Sequence, residues 1–489
     1  MKLRGADIVA RTLVASGVRQ LFALSGNHVM PLFDAALDAK LRLLHARHEA
    51  AAVYMADAWA RLTGEVGVAL VTGGPGHANA VAALYTALEA ESPVLLLSGH
   101  AALGELGKGA FQEMRQADMA APVTKASWTV QSIERLADDL AGALHEARSG
   151  RPGPVHLSLP QDVLEGPADA RVPAALEPSL PTLGPLPPEL IQAERPLVIA
   201  GPAMMRNPEL RALEAASGIP VIGMESPRGV NDPSLGRLVD VLARADAVLL
   251  LGKRLDFTLR FGKVFAPGCR LAHAEAVPIV RQKAVSTSWR DDVKAALAYR
   301  PPEWKAIQGS LHPAAVCREV QKLLEQPEAV LVCDGGEFGQ WAQACLSAPR
   351  RVINGPAGSI GSALPFAAAA KLAFPGAPVV ALMGDGTFGF HMSELDTAVR
   401  HGLAYTAVVG NDACWNAEYQ IALKAYGKER AVGLDLLPSR YGAAATALGA
   451  HGEDVTKFDG LEKALRRAVA ARKPACVNVL IERQPAPRY

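Results

Sequence analysis

The sequence predicts an α/β protein of three doubly wound domains, each a parallel sheet covered by helices on both faces. Three observations predict it. Short apolar runs that end near glycine alternate with helix-like segments. Two of these runs deliver polar tips, Gly384-Asp385-Gly386-Thr387 and Asn411-Asp412, on either side of one helical segment. Two proline-rich stretches, 177–189 and 299–313, punctuate the 489 residues.

The elements follow in order. MKLRGADIVARTLVASG at the N-terminus has the spacing of an amphipathic helix rather than a cleaved leader. GVALVTGG (67–74) and SPVLLLSG (92–99) read as buried strands, with a helix over 78–90 between them, and GPVHLSLP (153–160) as the last strand of the first domain. PLVIAGP, IPVIGM and ADAVLLLGKRL are the strands of a middle domain. AVLVCDGG, the VVALMGDG run and ACVNVLIE belong to the last. The proline-rich stretches suit linkers, so the expected domains are 1–170, 190–300 and 312–489.

Bulk properties narrow the function. The chain carries 50 basic and 49 acidic residues, net +1, which gives no pull toward nucleic acid or an anionic membrane surface. No apolar run approaches the ~18 residues that span a bilayer. The six cysteines are scattered without a CxxC pair. They read as reduced thiols of a cytoplasmic protein rather than a disulfide framework or a zinc site.

The strongest motif is the GDG with its second pair. Both tips sit at carboxyl ends of expected parallel strands, the edge where open α/β sheets bind ligands. Glycine lets backbone approach a ligand closely. Asp385 and Asp412 offer hard oxygen ligands to a divalent cation. A diphosphate held through Mg2+ is the natural occupant. The spacing resembles the thiamine diphosphate (ThDP) motif, GDG followed by a pair usually written Asn-Asn. Asp412 departs from that pattern on the metal-ligand position and adds negative charge beside a diphosphate. The resemblance makes the Cys414 carbonyl a third protein ligand.

The segment 46–64 opens a long helix with Glu49 near its start. A carboxylate there favours the helix dipole whatever else it does. With GGPGHAN (73–79) following, the stretch resembles the pyrimidine-binding domain of ThDP enzymes. The resemblance implies that Glu49 hydrogen-bonds N1′ of the aminopyrimidine, and it places Gly74 and Asn79 among the cofactor-binding residues. That chemistry needs a carboxyl in an apolar pocket, able to hold a proton near neutral pH. His28 after Gly26-Asn27, Glu49, and Gln112 before AAPVTK are together similar to benzaldehyde lyases. His28 would then relay a proton for a substrate hydroxyl, and Gln112 would orient it. His77 is weighed equally as structural and as substrate-facing.

In the last domain, GPAGSIGSALPFAAAAKLA (355–373) is similar to the family segment whose backbone carbonyl, here Gly358, accepts from N4′. Ile360 would wedge under the cofactor. Asp334, Gly335 and Gly336, with Gly384, Gly386 and Thr387, would cradle the diphosphate through backbone N–H groups. In the family, the first domain of one subunit faces the last domain of another, which implies a homodimer or homotetramer. The middle domain resembles those of oxalyl-CoA decarboxylases and 2-hydroxyacyl-CoA lyases but is shortened. With the short tail QPAPRY, this favours neither a CoA thioester nor FAD.

The resemblance therefore implies a ThDP- and Mg2+-dependent lyase and carboligase working next to a carbonyl, through a C2 ylide and an enamine. Its substrate would be a small 2-hydroxy ketone, aldehyde or 2-keto acid. An acetolactate-synthase-like enzyme or 2-keto acid decarboxylase is the alternative within the class. A non-catalytic ThDP-binding partner subunit is the alternative outside it, and Asp412 is the feature that favours it.

Overall fold

The computed structural model describes residues 3–168, 172, 174–179, 181, 184–280 and 287–487. The first expected linker, the last residues of the first expected domain and the tail therefore lie partly outside the described residues. Among the described residues, no helix is long and apolar enough to cross a membrane.

The first sheet has strands β1 (Gln20–Ala23), β2 (Arg42–His45), β3 (Gly67–Val71), β4 (Val94–His100), β5 (Ala126–Thr129) and β6 (Val155–Pro160). Its order is β2-β1-β3-β4-β6-β5, parallel throughout. Every residue of β3 and β4 is buried, as expected of a sheet covered on both faces. Helix α1 (Gly5–Ala15) turns its Ile8, Val9 and Leu13 face into the core on this sheet. Helix α2 (Glu49–Thr63) is stopped by Gly64 in the left-handed conformation. Helix α3 spans Pro75–Glu89, three residues earlier than expected, because Gly74 takes the cap position and Pro75 the first turn, where its missing N–H costs nothing.

The middle sheet joins β7 (Pro196–Ala200), β8 (Val221–Gly223), β9 (Ala247–Leu251) and β10 (Arg270–Ala274) in the order β8-β7-β9-β10. The last sheet joins β11 (Val330–Cys333), β12 (Arg350–Ile353), β13 (Val379–Gly384), β14 (Thr406–Asn411), β15 (His451–Val455) and β16 (Ala475–Leu480) in the order β12-β11-β13-β14-β16-β15. Both are parallel. Helix α4 (Pro313–Gln321) leads into the last sheet, and α5 (Gly336–Cys345) and α6 (Asp385–His391) lie in its connections. The α/β reading therefore holds.

The three sheets fall into two compact units. One comprises 1–180, 368–375 and 393–403, and the other comprises 181–367, 376–392 and 404–489. The middle and last sheets share the second unit. Arg351 of β12 explains part of this, since its guanidinium lies 2.9 Å from Glu225, just past β8. Within the first unit, Glu394 accepts from Arg47 N at 3.0 Å, and His401 Nε2 lies 3.2 Å from His45 N. These bonds group 393–403 with the turn between β2 and α2.

Candidate functional site

In the second unit, β13 and β14 end side by side, with Gly384 paired in register with Gly410. Neither carries a side chain, so the carboxyl edge stays open. A cavity of about 280 Å³ lies there. It is lined by Gly335, Gly336, Gly358, Ile360, Gly384, Asp385, Gly386, Thr387, Asp412 and Cys414, which come from four separate stretches of chain. Four of these five glycines are forced. A Cβ on Gly386 would sit 2.6 Å from the Trp415 ring, and one on Gly335 would sit 2.8 Å from Ile360. Gly336 and Gly358 have φ of 83° and 71°.

Asp334 is a correction. It does not line the cavity, and its own N–H is spent on Leu382 O at 2.9 Å. Its carboxylate is wholly buried and accepts from Gly335, Gly361 and Ala363 N–H at 2.8, 3.0 and 3.0 Å. Burial pushes its pKa up to about 6 against those three donors. Asp334 shapes the glycine loops from inside.

Asp385 opens α6 with its Oδ2 buried and without a hydrogen-bond partner. Burial pushes it up to about 6, while the N–H groups of Gly386, Ala413 and Cys414 pull the other way. Asp412 is pushed up to about 7, by burial first and then by the charge of Asp385. Asn411 is structural. It is buried, accepts from Ala413 N at 3.2 Å and donates to Ser439 O at 3.0 Å. Arg483, past the last strand, donates to the carbonyls of Asp412 and Ala413 at 3.2 Å each. It braces a turn in which Ala413 holds φ 53°. No motif announced Arg483.

In the first unit, Glu49 is the first residue of α2 and is half-buried within the single chain. Its Oε2 accepts from Asn79 Nδ2 at 3.1 Å, so the Asn79 amide positions Glu49. Thr72 joins the cluster: His28 Nδ1 lies 3.2 Å from its hydroxyl, and a Cβ on Gly76 would meet Thr72 at 2.8 Å and Glu49 Oε1 at 3.3 Å. His28 is held below its ordinary pKa by burial, then by His100. Gln112 takes φ 57°, its Oε1 is buried without a partner, and it packs where a Cβ on Gly74 would be. The structure thus brings His28, Glu49, Gly74, Asn79 and Gln112 to one edge of the first sheet.

Two residues there escaped the sequence reading. Gln116 is buried, accepts from Gly74 N at 2.8 Å and donates to Gly99 O and Ser158 Oγ at 3.1 and 3.0 Å. Glu394 fixes the turn that delivers Glu49 and also accepts from Thr397 Oγ1 at 2.7 Å. His77 proves structural. It is wholly buried, bonded to Ser98 Oγ at 2.9 Å, with its ring 4.5 Å from that of His156.

Comparison with known proteins bears on both clusters. Residues 3–119 match the thiamine pyrophosphate enzyme N-terminal TPP binding domain, and residues 334–479 match the C-terminal TPP binding domain. The chain belongs to the thiamine pyrophosphate enzyme family. It is 33% identical to a probable acetolactate synthase of Mycobacterium bovis, over 98% of this chain and 96% of the relative. It is 31% identical to the 2-hydroxyacyl-CoA lyase 2 of Homo sapiens, over 98% and 90%, and 29% identical to the catabolic acetolactate synthase of Raoultella terrigena, over 99% and 96%.

The residues of this thiamine pyrophosphate enzyme fit the cofactor. The glycine walls leave room for a diphosphate against backbone N–H groups. The unpartnered Asp385 Oδ2 beside Asp412 is a donor set suited to a hard cation. Among the described residues no three His, Cys, Asp or Glu side chains converge.

Proposed function

We propose that the protein is a ThDP- and Mg2+-dependent enzyme that cleaves 2-hydroxy ketones and joins aldehydes. The observation that carries this reading is the glycine-walled cavity holding the unpartnered Asp385 carboxylate next to Asp412. Asp385, Asp412 and the Cys414 carbonyl would hold the metal. The N–H groups of Gly336 and Thr387 would hold phosphate oxygens, Gly335 and Gly386 would admit them for want of a Cβ, and Ile360 would support the ring system. When bound, the cofactor would supply an electron sink for the carbonyl carbon whose bond to its neighbour is made or broken. Glu49, held by Asn79, would exchange a proton with the pyrimidine nitrogen. His28 would move a proton at the substrate hydroxyl, and Gln112 would orient that hydroxyl. At least a dimer goes with this reading, which light scattering would test.

An acetolactate-synthase-like enzyme is the second reading, favoured by the 33% identity to the M. bovis protein. Product NMR separates the two on the purified protein with ThDP and Mg2+. Aldehyde released from benzoin or acetoin, or benzaldehyde joined without CO2, supports the first. CO2 from pyruvate, with no cleavage of hydroxy ketones, replaces it with the second.

A further inference from the structure

We propose that Arg483 is a positioning residue of the cation site, which sets Mg2+ affinity by fixing the turn that carries Asp412 and Cys414. The inference rests on the reading of that cavity as a ThDP and Mg2+ site. Nothing in the stretch IERQPAPRY marks Arg483. The fold brings it to the end of β14, 70 residues back along the chain.

The segment after β16 has a fixed course. Ile481 N donates to Asn411 O at 2.9 Å, Asn416 Nδ2 to Gln484 O at 2.9 Å, and Trp341 Nε1 to Pro485 O at 3.0 Å. Arg483 therefore starts from an anchored backbone, and it reaches out in three directions. Nη2 donates to the carbonyls of Asp412 and Ala413. Nη1 lies 3.1 Å from Asp435 Oδ1. The guanidinium carbon stands 5.0 Å from the centre of the Tyr419 ring, on helix α7 (Asn416–Tyr426). A planar guanidinium serves all these partners at once, because its donors leave in fixed and different directions.

The turn needs such a holder. Ala413 takes φ 53°, where a side chain crowds the backbone, and that conformation persists only when the surroundings over-determine it. Residues 434–436 hold the turn from one side: Trp415 N donates to Leu434 O and Leu436 N to Ala413 O, both at 2.8 Å. Arg483 holds it from the Asp412 side. Of the three successive carbonyls, Arg483 takes those of Asp412 and Ala413 and leaves that of Cys414, the one a cation would use. Asp412 and Cys414 line the cavity, and Arg483 is not among the residues that do. It acts through the turn, without touching what the cavity holds.

The test strips the full chain of metal with EDTA, adds a fixed excess of ThDP and follows tryptophan fluorescence as Mg2+ is returned. R483Q should raise the Mg2+ concentration at half-saturation about 10- to 100-fold, the usual cost of losing a group that orients metal ligands. R483K keeps the charge but not the fork, and should stay roughly 5-fold or more above the original chain. D435N removes a partner that is 74% exposed and spares both carbonyl bonds. Its shift should be about 3-fold or less. A residue that only stabilised the fold would lower the melting temperature and leave the Mg2+ constant alone. An R483Q constant equal to the original, full recovery in R483K, or a D435N shift as large as that of R483Q would overturn the proposal. Where R483Q fails to fold, R483K decides it by the same limit. ThDP binding that ignores Mg2+ in the unmutated chain removes the metal reading and this inference with it. Mg2+ dependence that is present and unchanged in R483Q removes the inference alone.

Discussion

Acid should loosen the first sheet through His77. His77 lies in the first turn of α3 with its ring on His156, and burial lowers its pKa from 6.5 to about 4, with His100 adding repulsion. His156 is buried completely and lowered further in the same direction. The folded pKa is depressed. Above 6.5 both states are neutral and His77 costs nothing. As pH falls from 6.5 toward 4 the unfolded state takes a proton that the folded state refuses, so stability is lost across that window. At about 1.4 kcal/mol per unit, the full loss is about 3 kcal/mol, of which about 2 kcal/mol falls between pH 7 and pH 5. His77→Gln keeps a polar group near Ser98 but cannot titrate. Hydrogen exchange of the β3 and α3 amides reads local stability without asking the whole chain to unfold at once. The original chain should lose about 2 kcal/mol more than H77Q between those pH values. Parallel losses in the two proteins would show that His77 is not the group that resists protonation.

Three further substitutions probe the clusters. Gly386→Ala places a methyl 2.6 Å from the Trp415 ring and drives the indole into the cavity; ThDP affinity should fall about 10- to 100-fold, read from tryptophan fluorescence. Asp385→Asn should weaken ThDP retention in the presence of Mg2+, and EDTA on the unmutated protein should weaken it likewise; retention unchanged by both would refute a metal-ligand role for Asp385. Glu49→Gln should leave circular dichroism unchanged while slowing deuterium exchange at the cofactor's reactive carbon about 10²- to 10⁴-fold; unchanged exchange refutes the role given to Glu49.

What the sequence hides here has a common physical cause. The sheets are legible because a strand buried on both faces must be apolar throughout, and its sharp exit favours glycine; β3, β4 and β13 all announce themselves this way. The cavity is legible because close approach of backbone excludes a Cβ, so Gly335 and Gly386 mark it from any distance along the chain. Gln116, Glu394 and Arg483 obey no such local rule. Each is defined by a partner that topology brings near: the Gly74 N–H, the Arg47 N–H, and the carbonyls of Asp412 and Ala413. A polar side chain gains its role from that partner, since burial without one costs about 1–3 kcal/mol. The same logic moves Asp334 from the ligand to the frame. Within one motif the glycines face the cavity, while the carboxylate beside them turns inward to the three N–H groups that would otherwise be buried unpaired. Asp385 lies in an equally glycine-rich motif and keeps a bare Oδ2 at the cavity's edge. Both aspartates accept from backbone N–H groups, but both oxygens of Asp334 are taken, whereas Asp385 keeps one oxygen buried without a partner.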